Sequence, residues 1–176
     1  MKTISRILAL LFCALPAAAQ STAAPPPDPW KALSFLQGAW EAKTSGGQGV
    51  SAAGSYTFRS ELGGHVLARH SLSDAGCKGP EDFDCGHRDL LYIYQDSPGQ
   101  ALKAIYFDNE GHVIHYDVST PDPATAIFLS DGSQPGPRFR LTYELKGAVM
   151  WGKFQMRLPG QEEWKSYLEW SGSKRR

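Results

Sequence analysis

Polar and apolar residues alternate with a period of two along most of the chain after residue 39, most cleanly near its end. Phe139, Leu141, Tyr143 and Leu145 fall on one face, and Arg138, Arg140, Thr142 and Glu144 on the other. Met150, Phe154 and Met156 oppose Lys153, Gln155 and Arg157, and Trp164, Leu168 and Trp170 follow the same rule. Successive side chains of a strand point to opposite faces, so the pattern describes strands with one dry face and one wet face. Strands are predicted near 39–44, 54–60, 63–72, 88–95, 101–108, 112–119, 124–130, 137–145, 148–157 and 163–171. Two of them are apolar on both faces, through Leu90 to Tyr94 and through Ile105, Tyr106 and Phe107. Their outer face is therefore expected beneath the N-terminal helix or a long loop.

Short turns punctuate these segments. Asn109-Glu110-Gly111 and Lys146-Gly147 suit hairpins, and Ser97-Pro98-Gly99 and Pro159-Gly160 are turn sequences. Loops this short join antiparallel neighbours, because parallel pairing needs crossovers of about a dozen residues. About ten meandering strands must close or leave raw edges, and closure removes the edges. The fold class predicted is mainly β, an antiparallel up-and-down barrel of about ten strands with a short N-terminal capping helix. That helix follows Asp28 as N-cap and Pro29 at its first position. Trp30, Leu33 and Leu36 share one face, and Gly38 stops it.

The first residues read differently. Lys2 and Arg6 precede an apolar run from Ile7 to Leu15, and Pro16 breaks it before Ala17-Ala18-Ala19. This is the pattern of a secretory signal peptide, too short to span a bilayer as a mature helix. The expected organisation is a signal peptide over 1–19, a Pro/Ala-rich flexible segment over 20–28, one barrel domain over 29–172 and a basic tail over 173–176. An exported product, periplasmic or secreted, is implied, without membrane insertion of the mature chain. Two cysteines survive processing, Cys77 and Cys85, and an even count in an exported protein points to a disulfide between them. Losing Lys2 and Arg6 leaves 16 basic and 18 acidic side chains, a formal charge of −2. No clustered basic face is present, so nucleic acid is not an expected partner.

Candidate chemistry is sparse. The five histidines are His65, His70, His87, His112 and His115. On a strand, His112 and His115 point to opposite faces, as do His65 and His70, so no metal site is assigned. If Val66, Ala68 and Leu72 face inward, His70 does too, and His112 and Tyr116 accompany Ile114 and Val118. An inward His70 with Tyr92, Tyr116 and Tyr143, beside Phe154 and Leu168 on the inner face, forms a polar spot in an apolar cavity, the usual make-up of a ligand site. No nucleophile motif occurs, and among Glu61, Asp89, Asp108 and Asp117 no spacing holds two carboxylates together. No catalytic residue is assigned. The aromatic residues Trp151, Trp164, Trp170, Tyr56, Tyr94, Tyr106 and Tyr167 are expected mostly in the core.

Phe35-Leu36-Gln37-Gly38-Ala39-Trp40 sets a helical turn before Gly-x-Trp at the start of the first strand, and a long meander follows. In this the chain resembles the calycin superfamily, and within it the lipocalin-like proteins of unknown function that bacteria export. Phe58-Arg59-Ser60-Glu61-Leu62-Gly63-Gly64-His65-Val66-Leu67 is similar to the second-to-third-strand segment of that group. The resemblance implies a cup-shaped barrel holding a small apolar molecule, with Gly38, Trp40, Gly63 and Gly64 in structural roles and Trp40 at the closed end. The chain departs from the nitrobindin-like haem barrels: Glu41-Ala42-Lys43 follows the tryptophan, and no histidine occurs after His115. No cofactor is expected. The function implied is a binding module for a small apolar or amphipathic ligand. The alternatives are a structural or envelope-interaction barrel without ligand, and an extracytoplasmic enzyme using a pocket histidine.

Overall fold

The computed structural model describes residues 28–47, 53–73, 86–133 and 135–175. The expected signal peptide over 1–19, residues 20–27 of the expected flexible segment, and the pair Cys77 and Cys85 lie outside them. Helix α1 (Pro29–Ala32) and a 3-10 turn (Ser34–Leu36) lead into β1 (Gly38–Gly47) and β2 (Ala53–Glu61). After a second 3-10 turn (Leu62–Gly64) come β3 (Val66–Ser73), β4 (Arg88–Tyr94), β5 (Lys103–Asp108) and β6 (Val113–Asp122). The chain finishes with β7 (Thr125–Ser130), β8 (Arg138–Lys146), β9 (Val149–Arg157) and β10 (Lys165–Lys174).

Each strand pairs antiparallel with its sequence neighbour, and β1 also pairs with β10, so the sheet closes on itself. The ten-strand antiparallel barrel expected from alternation is the fold observed. The seam runs from Trp40 opposite Lys174 to Gly47 opposite Leu168, with one irregularity between Thr44 and Gly46. Closure extends the last strand beyond its predicted end. The Arg175 N–H donates to the Ala39 carbonyl at 2.8 Å, so the backbone of residues 173–175 continues the seam while these residues stay exposed to solvent. The physical reason is that the start of β1 has backbone groups that need partners.

The Asp28 carboxylate accepts from the Trp30 N–H at 3.0 Å and caps α1. The helix crosses one end of the barrel. Leu33 and Leu36 are fully buried there, and Trp40 Nε1 donates to the Leu36 carbonyl at 2.8 Å, tying the helical lead-in to β1. Gly38 has φ +121°, a left-handed conformation that the sharp entry into β1 requires. Gly63 and Gly64 also have positive φ, in the turn between β2 and β3. Phe58, Leu67, Ile93, Phe128 and Met150 complete a dry core with the two leucines and Trp40.

Two expectations need correction. Leu90, Tyr92, Ile105 and Phe107 face outward and stay half-buried, but α1 packs against β6 and not over them, while the long loop given as the other candidate cover, residues 74–85, lies outside the described residues. The reason is that α1 feeds straight into β1 and so lies across the barrel's end, not along its side. The aromatics also divide: Tyr56 and Trp170 are buried, whereas Trp151 and Tyr167 are exposed.

Candidate functional site

Away from α1 the barrel is hollow. A cavity of about 440 Å³ opens between the ends of β1, β3, β9 and the turn joining β5 to β6. That volume lies in the range of small-molecule sites. Phe139, Leu141, Phe154, Met156, Leu168 and Ile114 form an apolar wall, with the rings of Phe139 and Phe154 stacked at 5.6 Å. Each comes from an inward position of the alternation, so the period-two pattern that closes the barrel also greases the cavity.

The floor is polar and aromatic. Arg69, an inward residue of β3 only 5% exposed, donates to the Asp89 carboxylate on β4 and to the Tyr143 hydroxyl on β8. Around Tyr143 stand Tyr56, Phe58, Phe128 and Trp170, with ring centroids 5.4–6.2 Å away. Two glycines make room for this cluster. A Cβ at Gly152 would lie 1.9 Å from the Trp170 indole, and one at Gly172 would lie 2.8 Å from the Tyr56 hydroxyl. Arg69 Nε, Tyr56 Oη and Trp170 Nε1 are buried without hydrogen-bond partners among the described residues. Trp170 approaches Tyr56 closely enough to influence its phenol, but outside hydrogen-bond geometry.

From this floor a chain of polar groups climbs to the mouth. His87 Nε2 lies 3.4 Å from Asp89 Oδ2 and 3.1 Å from Tyr106 Oη, and its Nδ1 lies 3.0 Å from Glu110 Oε1. Tyr106 donates to Asp108 at 3.2 Å, and His112 Nδ1 lies 2.9 Å from the same carboxylate oxygen. Asp89 and Asp108 are direct cross-strand partners, and His87 and Tyr106 buffer a pair that would otherwise repel. The hydrogen bond to Asp89 raises the His87 pKa; burial opposes this and Glu110 adds to the rise. Burial pushes the Asp89 carboxyl up, but Arg69 and His87 together hold it below its ordinary range. Burial works against the Arg69 charge, yet Asp89 and the neighbouring tyrosines outweigh it, so Arg69 stays a cation. Donor atoms of His87, Asp108 and Glu110 also lie within 4.8 Å of one another, close enough to hold a metal ion. Hydrogen bonding with one another and with their neighbours satisfies them as they stand.

Of the six ligand residues expected from sequence, the structure brings Tyr116, Tyr143, Phe154 and Leu168 to the cavity. His70 and Tyr92 lie on the outer face, where their rings meet edge to face at 6.5 Å. The correction has one cause: β3 faces the other way. Leu67, Arg69, Ser71 and Ser73 point inward, while Ala68 is buried on the outside between its ladder partners Arg59 and Tyr92. The histidines that line the cavity are His87 and His112, the latter at the mouth, and His87 reaches the floor through Asp89. Both ring nitrogens of His87 are engaged, by Glu110 and by Tyr106. Arg69 and Asp89 are cavity residues that the sequence reading did not assign to the site. Their signal was an arginine opposite Leu91, and an aspartate two residues before it, on the apolar face of β4.

No protein-family model matches the chain, and no curated protein is similar enough to count as a relative. Among solved structures, one described as EF1p2_mFAP2b bound to DFHBI matches with 10% identity and a TM-score of 0.36, covering 84% of this chain and 98% of that one. Similarity at that level carries no argument about what this cavity holds. Among the described residues no helix is long and apolar enough to cross a membrane.

Proposed function

We propose that this barrel binds a small, mainly apolar molecule in its hollow half, as an exported protein of the lipocalin-like kind. The observation that carries the reading is the open cavity of about 440 Å³, walled by Phe139, Leu141, Phe154 and Met156 and floored by tyrosines. A barrel serving only as scaffold gains nothing from that void, since unfilled apolar volume costs stability in proportion to its size. Tyr116, Tyr143, Phe154 and Leu168 are the proposed contacts. Export and removal of residues 1–19, and a bond between Cys77 and Cys85, belong to the same proposal. Mass spectrometry of the processed protein, with and without reduction before alkylation, tests both.

The binding test uses a neutral fluorescent probe, N-phenylnaphthylamine. Saturable enhancement of its emission is expected with the full protein. Ala42→Trp, which places an indole in the cavity beside Gly54 and Gly172, should abolish it while the circular dichroism of the barrel is retained. Unsaturable emission, or emission unchanged by that substitution, would refute the reading.

A further inference from the structure

We infer that the cavity floor selects an uncharged hydrogen-bond acceptor, the carbonyl oxygen of an ester, ketone or amide on an apolar body, and rejects a carboxylate. This rests on the proposed binding of a small apolar molecule and names the chemistry at its inner end.

The first observation is a surplus of donors. Tyr116, only 3% exposed, lines the cavity with its ring against Phe128 and carries a hydroxyl that can donate. Around Tyr143, Arg69 Nε, Tyr56 Oη and Trp170 Nε1 are buried and have no hydrogen-bond partner among the described residues. Arginine Nε and indole Nε1 can only donate. Burial pushes the Tyr56 and Tyr116 phenols far above their ordinary range, so both keep their protons and can donate as well. Arg69 Nε, Tyr56 Oη and Trp170 Nε1 are almost wholly enclosed, so the floor is short of acceptors, and Tyr116, on the cavity lining, is the donor offered to an incoming acceptor.

The second observation is the charge balance. The only cation at the floor, Arg69, is matched by Asp89. Further up the same side stand Asp108, Glu110, His87 and His112, with Lys43 on the outer rim. With both histidines protonated, Arg69 and the histidines just balance the three carboxylates; with both neutral, that side carries surplus negative charge. A carboxylate entering this floor meets donors but no spare cation, and an uncompensated buried charge is far more expensive than a neutral carbonyl. The apolar wall opposite takes the rest of the molecule.

The experiment displaces N-phenylnaphthylamine from the full protein at neutral pH with three ligands of one chain length: methyl decanoate, decanoate and decane. The ester is expected to compete at concentrations about tenfold lower than either of the others. Tyr116→Phe should shrink the advantage of ester over alkane by about threefold or more. Asp89→Asn, which leaves Arg69 uncompensated, should move the ester-to-carboxylate ratio about tenfold toward the carboxylate. If Asp89→Asn does not fold, Tyr116→Phe still decides the matter. Decanoate competing as well as the ester in the unaltered protein, or an ester advantage unmoved by Tyr116→Phe, would overturn this inference and leave apolar binding intact. Failure of the probe to bind saturably would overturn the binding reading and this inference together.

Discussion

The two halves of the barrel are built from the same ten strands and the same alternation, yet one is solid and the other hollow. At the α1 end, Leu33, Leu36, Phe58, Ile93 and Phe128 are almost wholly buried and interlock without polar side chains. Beyond Tyr143 the inward positions change character, and Arg69, Asp89, Tyr106 and Asp108 appear among the apolar residues. Stability resides in the first half, and the second half is free to carry polar groups and open volume because the first holds the sheet closed. Tyr143 is the boundary: it packs on Phe58 and Phe128 with its ring and accepts from Arg69 with its hydroxyl.

The sharpest way to break the comparison is a matched pair of truncations. Phe128→Ala should cost about 3–5 kcal/mol in urea unfolding, because it leaves a cavity in a packed core. Phe154→Ala, on a wall that already faces open space, should cost only about 1–2 kcal/mol. Equal losses would mean that the halves are not distinct. Next comes Asp89→Ala, expected to lose about 3 kcal/mol by stranding the Arg69 charge, whereas the double change Arg69→Met with Asp89→Leu should recover most of that loss. Gly152→Ala should cost about 1–3 kcal/mol, since the new methyl meets the Trp170 ring at 1.9 Å and the indole must move.

The smallest effect is a dependence on pH. The folded state raises the His87 pKa above its ordinary 6.5. Its contribution is therefore fully present below about pH 6.5 and is lost as pH rises through the higher folded value. The melting temperature should fall by about 2–4 °C across that interval, and His87→Gln should flatten the fall. A slope that survives the substitution would place the titration elsewhere.

Alternation and turn punctuation together locate all ten strands: one wet face against one dry face is a strong periodic signal, and β4 and β5, apolar on both faces, are marked off by the turns around them. The capped helix and its stop at Gly38 are legible for local reasons, whereas the place of Trp40 at the closed end comes only from the resemblance to a known family. What alternation does not resolve is which face of β3 is inner. Val66, Leu67 and Ala68 are apolar in succession, so hydrophobicity gives no parity, and the interior position at Arg69 carries a charge. A period-two element read one residue out turns every side chain over, and His70 and Tyr92 move outside together. The parity depends on the register between β3 and β4, which Leu67 opposite Ile93 and Arg69 opposite Leu91 set across the sheet. The pairing of Asp89 with Asp108 is equally a matter of register, invisible until the strands are laid side by side.

Because β1 and β10 are hydrogen-bonded neighbours, the continuity of the sheet does not depend on where the polypeptide is cut. A linker joining the residues after Arg175 to those before Asp28, with new termini opened at the Lys146–Gly147 turn, leaves every ladder of the barrel intact. Such a circularly permuted chain would put its termini at the solid end and the cavity mouth at the far pole. A reporter domain could then be fused there without standing in the path of an entering molecule.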